Sequence, residues 1–267
     1  DSTDFHMLQN AAEKSWQAYK YERAKQHLTH LLPHSQNPDH FRLLAILHNI
    51  KKERTEAIAV LDSAEVRFGK DSYLSRVRQQ IYLDGGESQK AIKSALESVE
   101  EAPYEPMNHI ALADVYATIG ADSLADISYN NAIRLDNTDP TSWFEYAGFL
   151  DNRKRYTELL LVWRNVIELE NVPLTTKVSI VESVTTTRRD FYRRNFLLIG
   201  PIVTRMYELY PTNSKVVDLY TTHLIASNRV EEALVMIKRG IVENKPTLEQ
   251  LTRIIEIEDY LDRKDSV

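Results

Sequence analysis

The chain has 267 residues, of which 43% are hydrophobic and 27% are charged, and its 33 basic and 39 acidic side chains give a formal net charge of −6. This excess of acid argues against binding driven by phosphate neutralisation, so we expect no nucleic-acid partner. Cysteine is absent, which excludes disulfides, thiolate catalysis and cysteine-based zinc sites but leaves the cellular compartment open.

Glycine and proline are sparse, at 7 and 9 residues, and Ala, Leu, Glu and Lys are common, which favours helices. The longest apolar run, around residues 196–203, is interrupted by Gly200 and Pro201 and is far shorter than the roughly 20 residues that span a bilayer. We therefore expect no membrane span in this chain. Because the sequence opens with Asp-Ser-Thr-Asp rather than Met, we expect a processed or trimmed chain.

One position recurs along the chain with a period of 33 or 34 residues. It marks the second helix of a helix–turn–helix repeat, and the one longer gap accommodates a further copy with about six inserted residues. The recurring position is occupied, in chain order, by Ala24, Ala57, Ala91, Ala125, Leu159, Ile199 and Ala233.

Three other features keep this period. Small residues that allow close helix packing stand twelve positions earlier, with Gln79 as the exception, at Ala12, Ala45, Gln79, Ala113, Ala147 and Thr221. The turn between the two helices falls five positions earlier, at Tyr19, Lys52, Gly86, Gly120, Lys154 and Asn228. Prolines precede the next repeat, where a missing N–H costs nothing, at Pro106, Pro140, Pro173, Pro211 and Pro246.

These spacings predict a single domain over residues 1–267 with seven repeats, the sixth of them divergent: 5–37, 38–71, 72–105, 106–139, 140–173, 174–211 and 212–246. A C-terminal helix over 247–263 follows, either as a cap or as a truncated repeat. We expect its apolar stripe to cover the end of the seventh repeat through Leu248, Leu251, Ile254, Ile255 and Leu261.

The repeat is clearest in residues 108–132 and 143–173, where Trp143, Tyr156 and Trp163 take aromatic positions of a 34-residue pattern. In these residues the chain resembles the tetratricopeptide repeat (TPR) family. The resemblance implies an all-α fold, a right-handed superhelical α-solenoid of antiparallel helix pairs whose first helices line a concave groove. It also implies a non-catalytic scaffold or adaptor that binds a protein or peptide in that groove.

Residues 172–181, Val-Pro-Leu-Thr-Thr-Lys-Val-Ser-Ile-Val, resemble TPR proteins of Bacteroidetes cell envelopes. That resemblance implies a bacterial protein exported to the periplasm or cell envelope, and it leaves a cytoplasmic location open. An alternative function is therefore a structural organiser of an envelope assembly, which self-associates through its C-terminal end.

The TPR resemblance also implies which side chains face the groove: Arg42, Asn49, Tyr73, Arg76, Gln80, Met107, Asp114 and Phe144. Among these, Tyr73, Arg76, Met107 and Phe144 are residue types enriched at interface centres, and we expect them to be hot spots. The competing interpretation is that each of them packs between repeats or lies on a solvated face.

Four arginines, Arg188, Arg189, Arg193 and Arg194, surround two aromatic residues in residues 187–195. Guanidinium groups bind phosphate and carboxylate with paired hydrogen bonds, so a second alternative is an anion- or glycan-binding module. Helical spacing would spread the four arginines around the helix, and we expect Asp and Glu side chains of adjacent repeats to pair with them.

Histidines at 27, 30 and 34 have the spacing of helical metal ligands, but Pro33 interrupts the helix and no carboxylate or cysteine completes an obvious set. We therefore expect neither a metal nor a cofactor. The sequence contains no glycine-rich phosphate loop, Gly-x-Ser-x-Gly or His-Glu-x-x-His motif, so we expect that the protein is not an enzyme.

Overall fold

The computed structural model describes residues 2–243 and 248–265, and within these ranges it contains helices and no strand. The helices of the N-terminal half are α1 Ser2–Gln17, α2 Tyr21–Leu31, α3 Pro38–Ile50, α4 Arg54–Phe68, α5 Ser72–Asp84, α6 Ser88–Glu101, α7 Pro106–Thr118 and α8 Asp122–Leu135. The later helices are α9 Pro140–Asn152, α10 Tyr156–Val166, α11 Leu174–Thr185, α12 Arg189–Arg194, α13 Phe196–Leu209, α14 Ser214–Ala226, α15 Val230–Glu243 and α16 Leu248–Asp265.

The helices form two compact units, an N-terminal unit of residues 1–146 and a C-terminal unit of residues 147–267. In the N-terminal unit, α1 packs on α2, α3 on α4, α5 on α6 and α7 on α8, so that consecutive helices form pairs. In the C-terminal unit α14 packs on α15, and α15 also contacts α16.

Six helix pairs share one turn geometry. The turn residue has a positive φ between 55° and 79° at Tyr19, Lys52, Gly86, Gly120, Lys154 and Asn228. In each case the next residue donates its backbone N–H to the carbonyl five positions earlier, at 2.8–2.9 Å, as Glu53 does to His48. This is the Schellman arrangement that closes a helix C-terminus. The predicted turn positions are confirmed, including the three that carry neither glycine nor asparagine.

The position that recurs in the second helix of each repeat is buried throughout. Its side chains are between 0% and 2% exposed at Ala24, Ala57, Ala91, Ala125, Leu159, Ile199 and Ala233. Small residues there let the two helices of a pair approach closely, and larger side chains such as Leu28 and Leu61 fill the space beside them. Gln79 is also buried, at 1% exposed, and its amide oxygen and nitrogen find no hydrogen-bond partner among the described residues.

Proline and capping side chains start several helices. Pro106 and Pro140 are the first residues of α7 and α9, and Pro173 directly precedes α11. The side chain of Asp71 accepts hydrogen bonds from the backbone N–H groups that begin α5. Each device satisfies or removes an N–H that the helix itself leaves without a partner. The predicted proline at 246 lies outside the described residues.

The divergent segment 174–211 contains three helices instead of two, because the short α12 is inserted between α11 and α13. The core of the C-terminal unit includes Ile199 and Met206 of α13, and Phe191 of α12 packs against it. Pro201 lies inside α13, which continues on both sides of it. The helix that the sequence places here therefore forms in spite of a residue that disfavours helix interiors.

Helix α16 covers α15 with only part of its apolar stripe. Ile257 is 5% exposed, and Ile254 and Leu261 pack with it against α15. The other three side chains that we expected in this contact are 82%, 42% and 66% exposed, in the order Leu248, Leu251 and Ile255. The apolar stripe of α16 is therefore wider than the part of it that α15 covers.

Candidate functional site

The first helices of consecutive pairs lie side by side in the N-terminal unit, where α5 contacts both α3 and α7. Seven of the eight side chains that the TPR resemblance implies for the groove belong to α3, α5 and α7, and Phe144 belongs to α9. We call the surface of these helices the first-helix face, and it carries Arg42, Asn49, Tyr73, Arg76, Gln80, Asp114 and Glu145.

Tyr73 is a large apolar side chain of this face that is exposed to solvent, at 49%. The Arg42 guanidinium lies 5.7 Å from the centre of its ring, within the range of a cation–π contact. Arg42 is itself held by an ion pair of 3.0 Å with Asp39. One side of the Tyr73 ring is therefore held by a charged neighbour while much of the ring stays accessible.

Arg76 joins the next two repeats. Its Nη2 lies 2.7 Å from Asp114 Oδ2 and 2.9 Å from Glu145 Oε1. The Tyr129 hydroxyl donates a hydrogen bond of 2.6 Å to the other oxygen of Asp114. One guanidinium thus faces two carboxylates, which leaves an excess of negative charge at this place on the first-helix face.

The pKa values of this network follow from its partial burial. Burial raises the pKa of Asp114, although Arg76 and the Tyr129 hydroxyl favour the charged carboxylate. Burial would lower the pKa of Arg76, but the carboxylates of Asp114 and Glu145 outweigh it and raise that pKa. Burial, followed by the charge of Asp114, also raises the pKa of Tyr129, so its hydroxyl stays a donor.

Asn49 and Gln80 share one acceptor. The Asn49 Nδ2 donates to Asp84 Oδ2 at 2.5 Å, and the Gln80 Nε2 donates to Asp84 Oδ1 at 2.7 Å. Both amides are therefore engaged at the end of α5, which fixes their orientation on the first-helix face.

Met107 does not have the exposure that a hot-spot residue needs. It is 7% exposed, and its sulfur lies 3.8 Å from Arg76 Nη1. Met107 lies in the first turn of α7, and α7 packs against α5, the helix that carries Arg76. Phe144 is partly buried. Of the four expected hot spots, Tyr73 and Arg76 remain on the first-helix face with accessible side chains.

The four arginines of residues 188–194 line one cleft of the C-terminal unit, with a volume of about 900 Å³. Arg188 forms two hydrogen bonds with the carboxylate of Asp151, at 3.1 and 3.4 Å. Arg189, Arg193 and Arg194 are exposed and have no ion-pair partner within the described ranges. The expected pairing with acidic side chains therefore holds for Arg188 and is wrong for the other three.

A second cleft of about 630 Å³ adjoins the first and shares Thr186, Arg189 and Arg193 with it. Its wall includes Tyr192 and His223, whose hydroxyl and Nδ1 lie 2.7 Å apart. The sequence did not indicate this pair. No local pattern marks it, because the two residues are 31 positions apart and meet only when α12 packs near α14.

The part of the chain that the structure describes contains no group of three or more His, Asp or Glu side chains arranged to hold a metal ion. Along the same residues, no helix combines the length and the apolar character that crossing a bilayer requires.

No protein-family model matches the sequence, and no curated protein matches it either. Solved structures of TPR proteins are similar to the chain. Yeast Tom70 aligns with a TM-score of 0.51 and 15% identity over 98% of this chain, and the chain spans 58% of the Tom70 structure.

Two bacterial TPR proteins align less closely. TTC0263 from Thermus thermophilus has a TM-score of 0.48 and 19% identity, over 64% of this chain and 96% of its own. A TPR protein from Parabacteroides merdae has a TM-score of 0.42 and 15% identity, over 96% of this chain and 99% of its own. The similarity to Tom70 and the six equal turns lead to one conclusion about the fold: the chain is an all-α helical-repeat protein with the tetratricopeptide-repeat fold.

Proposed function

We propose that the protein is a non-catalytic scaffold that binds a protein or peptide on the first-helix face of its N-terminal unit. The observation that carries the proposal is Tyr73, an aromatic side chain that is 49% exposed and held in place by Arg42. A rigid aromatic group loses little side-chain entropy on binding, which is why such residues dominate the energetics of many interfaces.

The surroundings of Tyr73 support the same proposal. Arg76, Asp114 and Glu145 hold one another in fixed positions through ion pairs of 2.7 and 2.9 Å. Side chains that are already ordered need little reorganisation when a partner arrives. The second carboxylate around Arg76 leaves a negative charge, so the partner is expected to present Lys or Arg beside an apolar side chain that contacts Tyr73.

The test compares three baits in quantitative affinity capture from native lysate: the wild type, Tyr73→Ala and Tyr104→Ala. Tyr104 is the matched control because it is 85% exposed and lies between α6 and α7, outside the first-helix face. We expect a set of proteins that the wild type and Tyr104→Ala retain and that Tyr73→Ala loses. Titration of a retained partner should show a loss in affinity of about 30-fold for Tyr73→Ala, typical of a hot-spot residue.

Charge is tested separately with Glu145→Gln, which removes one of the two carboxylates around Arg76. We expect weaker binding of the same partner and a smaller dependence of its affinity on salt, because one attractive charge is lost. If no captured protein distinguishes Tyr73→Ala from Tyr104→Ala, the proposed binding face is wrong.

A further inference from the structure

Three guanidinium groups on one short segment lack acidic partners in the described part of the chain. Arg189, Arg193 and Arg194 are exposed, and within residues 2–243 and 248–265 none of them forms an ion pair, whereas Arg205 and Arg229 of the same unit both do. Arginines on a helical surface commonly find a carboxylate three or four residues away. The segment around α12 therefore carries positive charge that no acidic side chain neutralises within the described residues. Arg205 and Arg229, by contrast, are neutralised by their ion pairs.

The cleft that these arginines line is strongly positive. Its lining has two acidic side chains, Asp151 and Asp190, against five basic ones: Arg188, Arg189, Arg193, Arg194 and Lys154. The chain as a whole has a net charge of −6, so this local excess of three positive charges opposes the overall balance. A concave surface of one sign attracts ligands of the opposite sign.

Two residues that line the cleft, Arg188 and Phe191, are fixed by contacts with neighbouring side chains. Arg188 is fixed by its two hydrogen bonds to Asp151 and lies 6.0 Å from the centre of the Phe191 ring. Phe191 packs edge-on against Tyr156, with ring centres 4.9 Å apart. Arg188 is therefore engaged in contacts within the protein, and the other three arginines remain available to a ligand.

The adjoining cleft extends the site. Arg189 and Arg193 line both clefts, which makes them the boundary between the 900 Å³ and the 630 Å³ spaces. The second space is lined by uncharged and aromatic side chains, among them Tyr192, Phe196 and Leu219. This arrangement suits a ligand whose anionic groups meet the arginines while an uncharged part, such as a sugar ring, enters the second space.

We propose that the arginine-lined cleft binds a compact ligand that carries at least two phosphate or sulfate ester groups. A guanidinium donates two parallel N–H groups to two oxygens of such an ester, and its planar shape matches them better than a lysine ammonium does. Three available guanidinium groups suffice for two ester groups. The site lies in the C-terminal unit and is independent of the first-helix face, so failure of either proposal leaves the other untouched.

The test is isothermal titration calorimetry with three probes: inorganic tripolyphosphate, a trisulfated heparin disaccharide and, as the reference, the unsulfated disaccharide, which keeps only its uronate carboxylate. We expect the wild-type protein to bind at least one of the two multiply charged probes at least about tenfold more tightly than the singly charged reference. The preferred probe decides between phosphate and sulfate. Binding should weaken severalfold between about 50 mM and about 300 mM NaCl, because salt screens exposed charges.

The decisive variant is the triple substitution Arg189→Gln, Arg193→Gln and Arg194→Gln, with the single Arg193→Gln as a milder second variant. We expect the triple variant to lose at least about tenfold in affinity, since each lost charge-assisted hydrogen bond is worth roughly that much. The matched control makes the same charge change at exposed basic residues outside the cleft: Lys14→Gln, Arg164→Gln and Lys215→Gln.

Asp151→Asn tests the direction of the effect. It removes the carboxylate that neutralises Arg188, so we expect the affinity to equal or exceed that of the wild type. Equal losses in the triple variant and its matched control would overturn the proposal, and so would the absence of heat with both tripolyphosphate and the trisulfated disaccharide at about 10 mM in low salt.

Discussion

The buried polar side chains include Gln79 in the N-terminal unit and His223 in the C-terminal unit. Gln79 occupies a position where the other repeats carry small residues, and both polar atoms of its amide lack a partner in the described structure. His223 is 7% exposed, but its Nδ1 lies 2.7 Å from the Tyr192 hydroxyl and its ring stacks on Phe196 with ring centres 4.9 Å apart. We expect Gln79 to lower the stability of the fold and His223 to make that stability depend on pH.

We expect Gln79→Met to raise the free energy of unfolding by about 1–3 kcal/mol, because methionine keeps the volume and removes two buried polar atoms that have no partner among the described residues. Urea denaturation followed by circular dichroism measures the change. Gln80→Met is the control, since Gln80 is exposed and donates to Asp84, and it should give no gain. Destabilisation by Gln79→Met would show that the amide is satisfied.

His223 is expected to destabilise the fold in acid. Burial, followed by the charge of Arg229, lowers its pKa from the usual 6.5. The folded state thus favours the neutral ring, and burial raises the pKa of Tyr192 to about 12, so that its hydroxyl stays protonated. The stabilising effect of the neutral ring is present above pH 6.5 and is lost as the pH falls below that value.

The measurement is the free energy of unfolding of the wild type and of His223→Gln between about pH 8 and about pH 5. We expect a decline below pH 6.5 in the wild type that is smaller in the variant. His40, whose pKa burial also lowers, accounts for part of the remaining slope. His30→Gln removes an exposed histidine as a control, and an equal loss of slope there would contradict the assignment to His223.

At the scale of helices, the turn between the two helices of a repeat is the most regular element. Six turns place one residue at positive φ and close the helix with the same backbone hydrogen bond. Glycine fits this conformation, while Tyr19, Lys52 and Lys154 adopt it at a cost of about 1 kcal/mol each. Glycine at any of these three positions is therefore expected to stabilise the fold.

We expect Lys52→Gly to raise the free energy of unfolding by up to about 1 kcal/mol, and Gly120→Ala to lower it by about 1 kcal/mol, because a Cβ is strained at positive φ. Thermal denaturation of both variants measures this. Lys51→Gly is the control, since Lys51 has a φ of −82° and gains nothing from glycine. A gain in Lys51→Gly as large as in Lys52→Gly would mean that the turn conformation is not the cause.

At the scale of the whole molecule, charge and apolar surface are distributed unevenly. A net charge of −6 coexists with a cleft whose lining has an excess of basic side chains. Apolar side chains are left exposed on the outer surface of α16, with Leu248 at 82% and Ile255 at 66%. Exposed apolar stripes of this kind favour association, which connects α16 with the alternative of an envelope organiser.

We expect the protein to self-associate through α16, with a mass in light scattering that rises above the monomer value of 30.9 kDa as concentration increases. The double substitution Leu248→Glu and Ile255→Glu should restore the monomer, because it places charges in the apolar contact. Val66→Glu with Leu197→Glu is the matched control at two other exposed apolar positions. A wild-type mass that stays at the monomer value at every concentration would refute self-association.

The repeat and its turns could be predicted because they depend on local properties of the chain. The period of Ala57, Ala91 and Ala125 predicts where helices pack closely, and the position of Gly86 and Gly120 predicts where the chain reverses. The same period identified Lys52 and Lys154 as turn residues, although neither residue type favours a positive φ. Regular spacing was therefore a stronger signal than residue type.

The site was less predictable, because it depends on which helices become neighbours. The sequence alone determined the helical-repeat fold, the buried small positions and the clustering of arginines near α12, since each is set by residues close together in the chain. Only the tertiary structure decided that Met107 is buried and that Arg76 contacts Glu145, which lies 69 residues further along the chain. It also decided that Asp151 neutralises Arg188 and leaves the other three arginines available. The physical reason is that packing between helices sets burial and charge pairing. The spacing of residues along the chain does not determine which helices pack together.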